Sequence, residues 1–214
     1  MRYFAVLVVL TAAMLATRLT SASQQSGEEL SLTLQVHDYS SVPIDSLSRA
    51  TAIVTRVYEK IGVRAEWMDV ARPAERRDAS RPSRPAAQLT IIILTPEMAA
   101  RAHVADNVLG YAAVPDEGMG SIAFAIYQRV RDAARKIPAH EADVLGFVMA
   151  HEIGHLVLPR GSQPDSIGLM KNHWHVRDLQ RVDLVTLDFS AEQARQVRDT
   201  IENASLKRSE RARR

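Results

Sequence analysis

Val144-Leu145-Gly146-Phe147-Val148-Met149-Ala150-His151-Glu152-Ile153-Gly154-His155-Leu156-Val157-Leu158 is an apolar run with two histidines and one glutamate set into it. Pro138 precedes the run and Pro159 ends it, and Ala142, Val144, Leu145, Val148, Met149, Ile153 and Leu156 recur at helical spacing. A helix from about His140 to Leu158 puts His151 and His155 on one face, one turn apart. Two imidazoles so placed can bind one metal ion, and Glu152 beside them can reach a water on that ion. Zn2+ suits such donors, because a catalytic zinc accepts neutral imidazole nitrogens and keeps a position open for water. The ion acidifies the water and the carboxylate takes its proton, which is why H-E-x-x-H on a helix carries this chemistry. The competing reading is a buried helix that merely contains these residues. It leaves two imidazoles and a carboxylate without partners in an apolar setting, which is costly. Gly154 lies inside the motif, where a small residue lets another segment approach the helix.

A catalytic zinc usually has three protein ligands, so one must come from outside this helix. Asp165 is the leading candidate: it lies in the loop from Pro159 to Gly168, Pro164 fixes the backbone before it, and a carboxylate is a good zinc ligand. Its alternative role is a turn aspartate bonding its own backbone. His173 and His175 flank Trp174 and are the next candidates, against a surface His-x-His. Asp178, Asp183 and the neutral amide of Gln163 follow. His37, His103 and His140 read as core, surface or helix-end histidines rather than ligands.

Upstream, Leu30 to His37 alternates apolar and polar residues, a strand signal. Ser40 to Ile61 reads as a helix stopped by Gly62, and Val63 to Met68 as a second strand. Ala71 to Pro85, with three prolines and five arginines, reads as a solvated loop. Gln88 to Leu94 is β-branched enough for a central, buried strand. A short helix from Thr95 to about Ala102 follows. Gly110 to Val114 is a short strand or extended loop, Ser121 to Ile126 a further strand, and Gln128 to Lys136 a charged helix. Beyond the motif, His175 to Val185 reads as helical. Ser190 to Gln193 fits a capping box opening a last helix to about Ala204. Residues 206–214 read as a disordered basic tail.

Residues 1–23 have the form of an export signal: Arg2, an apolar run from Tyr3 to Ala16 too short for a comfortable span, then Thr20-Ser21-Ala22-Ser23. An uncleaved anchor is the alternative, and in both cases the rest of the chain is expected to be secreted or periplasmic, with no stable membrane association once the signal is removed. The 214-residue chain then holds one domain, residues 28–205. Its net charge of +2 includes Arg2 and Arg18, and without them acids and bases balance. Nothing in that balance argues for nucleic acid. The chain has no cysteine, so thiolate metal sites and disulfides are excluded.

His151-Glu152-Ile153-Gly154-His155 followed by Gly168-Leu169-Met170 resembles the zincin metallopeptidases, and within them the metzincins, which carry a methionine turn beneath the metal. Met170 is similar to that residue, and its place favours a ligand that precedes the turn, such as Asp165. Leu158 and Gly161 stand where metzincins carry a glycine and the third ligand. The resemblance implies an α+β fold: a twisted mixed β-sheet, an active-site helix and a mainly helical C-terminal part. It also implies a substrate-binding edge strand ahead of the active helix, in the place of Ser121 to Ile126.

The function expected from these readings is hydrolysis of peptide bonds in a peptide or protein substrate. His151, His155 and Asp165 hold Zn2+, Glu152 is the general base, and Tyr127 and His175 are candidate auxiliary donors. The alternative is a non-catalytic, metal-stabilised peptide-binding protein on the same scaffold. A hydrolase of non-peptide amides is a third possibility.

Overall fold

The alternation that begins at Leu30 forms strand β1 (Ser31–Asp38), and its apolar positions Leu32 and Leu34 are fully buried. In the computed structural model of the protein, residues 30–68, 87–116, 119–136, 140–162, 168–171, 174 and 187–213 are described. After β1 come α1 (Ile44–Glu59), β2 (Arg64–Met68), β3 (Ala87–Leu94), α2 (Pro96–Arg101), β4 (Gly110–Ala113) and β5 (Ile122–Ile126). Helices α3 (Tyr127–Ala134), α4 (Glu141–Val157) and α5 (Ala191–Ala212) complete the described elements. The expected export signal, residues 1–23, the loop from Ala71 to Pro85 and the helix from His175 to Val185 lie outside the described residues.

The sheet runs β2-β1-β3-β5-β4. Strands β2, β1, β3 and β5 are parallel neighbours, and β4 pairs antiparallel with β5. The mixed sheet expected from the sequence is therefore present, with the aliphatic β3 at its centre. Leu89, Ile91 and Ile93 of β3 point to the helix side and are buried, as are Ala123 and Ala125 of β5. Helices α1 and α4 lie on that face, α4 against α1 on one side and against β4 and β5 beneath it.

Helix α4 is apolar all round because it is enclosed all round. Of its 17 residues only Glu141, His151 and His155 are not buried, so the one place near its C-terminal end where it meets solvent is the histidine pair. Its N-terminus is capped by His140, whose Nδ1 accepts from the Ala142 amide at 3.2 Å. Asp143, in the first turn, is 9% exposed and accepts two hydrogen bonds from the Arg49 guanidinium, at 2.5 and 2.8 Å. Asp143 also faces the positive end of the helix dipole. Arg49→Ala leaves that carboxylate shielded and unpaired, and is expected to cost about 1–3 kcal/mol, read as a shift in the urea midpoint.

The last helix opens with the expected capping box: Ser190 accepts from the Gln193 amide, and the Gln193 side chain accepts from the Ser190 amide. The expected end near Ala204 and the disordered tail from residue 206 are corrected. The helix continues to Ala212, because Leu206, Lys207, Arg208, Glu210 and Arg211 are good helix formers with no glycine or proline among them. Among the described residues no helix is long and apolar enough to cross a membrane.

Candidate metal centre

The two histidines of α4 converge. Nε2 of His151 and Nε2 of His155 are 3.0 Å apart, with ring centroids 4.7 Å apart and planes at 83°. Two nitrogens bound tetrahedrally to one zinc, each about 2.0–2.1 Å from it, stand roughly 3.3 Å apart, so the pair needs only a small opening to share an ion. The other nitrogen of His151 is committed: Nδ1 lies 2.6 Å from the carbonyl oxygen of Leu169. A carbonyl only accepts, so Nδ1 carries the proton and the Nε2 lone pair points toward His155. A ligating histidine whose second nitrogen donates to a carbonyl is the usual way such a ring is oriented.

The turn that supplies this carbonyl is held from behind. Leu169 donates its amide to the carbonyl of Asp188 at 2.9 Å, and Asp188 is gripped by Lys60 of the α1 cap, with Nζ 2.9 Å from both carboxylate oxygens. Phe189, next in sequence, meets Tyr58 edge-on at 5.4 Å, and the Tyr58 hydroxyl donates to the Ala150 carbonyl within α4 at 3.2 Å. Met170 is buried beneath the helix, and its side chain lies against Gly154. A Cβ on Gly154 would come within 2.5 Å of the Met170 sulfur and 3.3 Å of Phe189. The expectation that Gly154 admits another segment is met, and that segment is the turn carrying Met170. Gly154→Val is expected to cost about 1–3 kcal/mol in the unfolding free energy of the metal-free chain through overpacking, and to weaken metal binding because the displaced turn carries the Leu169 carbonyl.

Glu152 points the other way, under β4, and is 7% exposed. Gly110 of β4 lies directly over it: a Cβ there would stand 2.9 Å from the Glu152 Cγ and 2.7 Å from the Phe124 carbonyl oxygen. Burial pushes the Glu152 carboxyl up to about 8. Burial likewise pushes His151 down to about 4, against the opposing effect of its bond to Leu169, and lowers His155. In the absence of a cation, both imidazoles are thus neutral at neutral pH, the form in which they ligate, and a nearby positive charge would favour ionised Glu152.

Three expectations change or lie outside the described residues. Ser121 to Ile126 was expected to form the edge strand, but β5 is interior, paired with β3 and β4; the edge is β4. Tyr127 is not an auxiliary donor at the centre. Its hydroxyl donates to Glu141 at 2.6 Å, and Glu141 stands ten residues before His151, roughly 15 Å along the helix. Desolvation and Glu141 push the Tyr127 phenol up to about 12. Among the described residues no third His, Cys, Asp or Glu joins the pair. Asp165, with Gln163, His173, His175, Asp178 and Asp183, lies outside the described residues.

Sequence reasoning missed the contributions that are not side-chain chemistry: the Leu169 carbonyl and the bare backbone at Gly110. It also gave no role to Trp174, whose ring meets His151 edge-on at 5.1 Å; its position between two histidines was the one available signal.

No protein-family model matches the chain, and no curated protein matches it. Among solved structures, the chain is similar to archaemetzincin from Methanopyrus kandleri, at 17% identity and a TM-score of 0.46, over 83% of this chain and 98% of that one.

Proposed function

We propose that the protein is a zinc-dependent metallopeptidase that acts outside the cytoplasm. The observation that carries this reading is the pair of imidazole nitrogens 3.0 Å apart on α4, one ring fixed through its far nitrogen by a backbone carbonyl, with a buried carboxyl on the adjoining residue. His151 and His155 would hold the ion, with Asp165 as the proposed third ligand. When bound, zinc supplies a Lewis acid that polarises the scissile carbonyl and makes water a nucleophile near neutral pH. Glu152 takes the proton from the attacking water and delivers it to the leaving amine. The walls formed by β4 and α4 keep this carboxyl away from bulk solvent, so its proton goes to the substrate.

The peptide lies along β4. The Ile126 amide donates to the Leu109 carbonyl at 2.8 Å. In an antiparallel pair bonded and non-bonded positions alternate, so Leu109, Tyr111 and Ala113 turn their backbone groups to β5, and Gly110 and Ala112 turn theirs outward. An extended peptide can add to that edge through main-chain hydrogen bonds. Gly110 then carries the peptide past Glu152. Export is read from residues 1–23.

The test is metal content and turnover on purified protein. The reading expects about one zinc per chain and cleavage of an unstructured protein substrate that a chelator stops. Bound zinc without cleavage of any peptide would instead favour a metal-stabilised peptide-binding protein. No bound metal would end both readings.

A further inference from the structure

We infer that Arg129 is a positioning residue that sets the place of the edge strand β4 over Glu152. It rests, for its substrate arm, on the peptidase reading above. Strand β4 is short, and among the described residues it is outermost and paired along only one side. A four-residue edge strand holds its place weakly unless its ends are tied. Its end toward β5 through the turn is tied to the end of α4 and the residues just after it: the Gly120 amide donates to the Leu156 carbonyl at 3.1 Å, and Arg160 donates to Asp116 at 2.7 Å. The other end, where the chain enters β4 from the loop after α2 and leaves β5 into α3, has no connecting turn.

Arg129 closes that end. It stands in the first turn of α3, three residues after the last residue of β5, with its side chain 18% exposed. One terminal nitrogen donates to the carbonyls of Ala105 (2.6 Å) and Val108 (2.9 Å). The other donates to the carbonyl of Val104 (3.0 Å) and to the Asp106 carboxylate (3.4 Å). All four terminal N–H groups of the guanidinium are thereby aimed into the loop that delivers Leu109 and Gly110. The planar fork is what makes this possible; a lysine ammonium, a single point with three donors on a flexible stem, does not span three carbonyls and a carboxylate. Asp106 is itself fully exposed and adds little, so the carbonyl contacts carry the effect. Among the described residues the loop has few other hydrogen bonds: Val104 donates to Ala99 and Val108 to Ala105, both within the loop or back to α2.

The consequence falls on Gly110. Because its Cβ position is already filled by the Glu152 stem and the Phe124 carbonyl, β4 sits as low over the carboxyl as a chain can. Freeing the loop lets β4 lift or fray from its first residue, which moves the outward groups of Gly110 and Ala112 without touching the histidines.

The experiment uses full-length, zinc-loaded protein and the variants Arg129→Ala, Arg129→Lys and, as control, Arg135→Ala, which removes an exposed pair with Asp132 from the same part of the chain. Two quantities are measured: amide hydrogen exchange over residues 104–113 and over α4, and KM and kcat for a ten-residue peptide and for a blocked dipeptide too short to lie along β4. Arg129→Ala is expected to raise exchange in 104–113 about tenfold or more while leaving α4 and the zinc content unchanged. It is also expected to raise KM for the long peptide about tenfold, with kcat within about threefold and the dipeptide unaffected. Arg129→Lys behaves nearly like the alanine variant, and Arg135→Ala like wild type. Unchanged exchange in 104–113 overturns the inference, as does an equal loss for both substrates or a loss of zinc, which would mark Arg129 as a general stabiliser. If exchange rises as expected but wild type cleaves neither substrate, the placing of β4 by Arg129 stands and the peptidase reading falls.

Discussion

Glu152→Gln is expected to abolish peptide cleavage and to leave zinc content unchanged. The expected loss in kcat is about a thousandfold, within the range that a positioned general base contributes. Glutamine keeps the shape of the side chain packed under Gly110, so β4 and α4 stay in place. What is lost is the oxygen that accepts a proton. The substitution also removes a carboxyl whose ionisation burial opposes. In metal-free protein, the raised carboxyl pKa makes the folded state hold a proton that the unfolded chain releases above its ordinary value near 4.5. Wild type therefore loses stability relative to the glutamine variant as pH rises from there toward 8. A variant that binds zinc, is as stable or more so at neutral pH, and does not turn over separates a missing base from a damaged fold. A variant retaining wild-type turnover would refute the role given to Glu152.

His151→Ala and His155→Ala are each expected to lose high-affinity zinc, and the two losses differ in kind. Removing either ring takes away a directly bound nitrogen, so the fall in affinity exceeds the ~10–100-fold that follows from losing an outer hydrogen bond. His155 is exposed and, among the described residues, makes no hydrogen bond to the turn that carries Met170, so its removal is expected to cost zinc and little else. His151 also holds the Leu169 carbonyl and meets the Trp174 ring, so its removal additionally leaves a buried acceptor without its donor, worth about 1–3 kcal/mol of stability in the metal-free state. Competition with a chromogenic chelator reads the first effect and urea denaturation of chelator-treated protein the second. Zinc retained at wild-type affinity by either variant would show that the ion sits elsewhere.

The motif helix was legible because its information is local. A spacing of four residues decides that two side chains share a face, and an apolar run bounded by prolines decides the helix. Strand β3 was legible for the same reason, as a run of isoleucines that only a sheet centre accommodates. Edge membership was not. Whether Ser121–Ile126 or Gly110–Ala113 lies outermost depends on which strands pair, and pairing partners are far apart in the chain. Tyr127 looked available to the centre because it ends a strand close to the motif in sequence; the hydroxyl in fact turns to the opposite end of α4. The basic run after Ala204 read as a tail because charge was weighed above helix propensity. At the histidine pair, the sequence exposes the side-chain nitrogens and hides what aims them, since a carbonyl such as that of Leu169 belongs to every residue type alike.

The contact between Gly154 and Met170 has a redox consequence. A thioether pressed so closely on a helix backbone has no room for an added oxygen on the side facing Gly154, and its burial keeps oxidants out. Should peroxide reach Met170 during a transient opening, the sulfoxide could not return to its seat. The turn would stay displaced, and with it the carbonyl that fixes one imidazole. Oxidative inactivation would then proceed by disorienting a nitrogen donor, with every donor atom chemically intact, and reduction of that one sulfoxide would restore the protein.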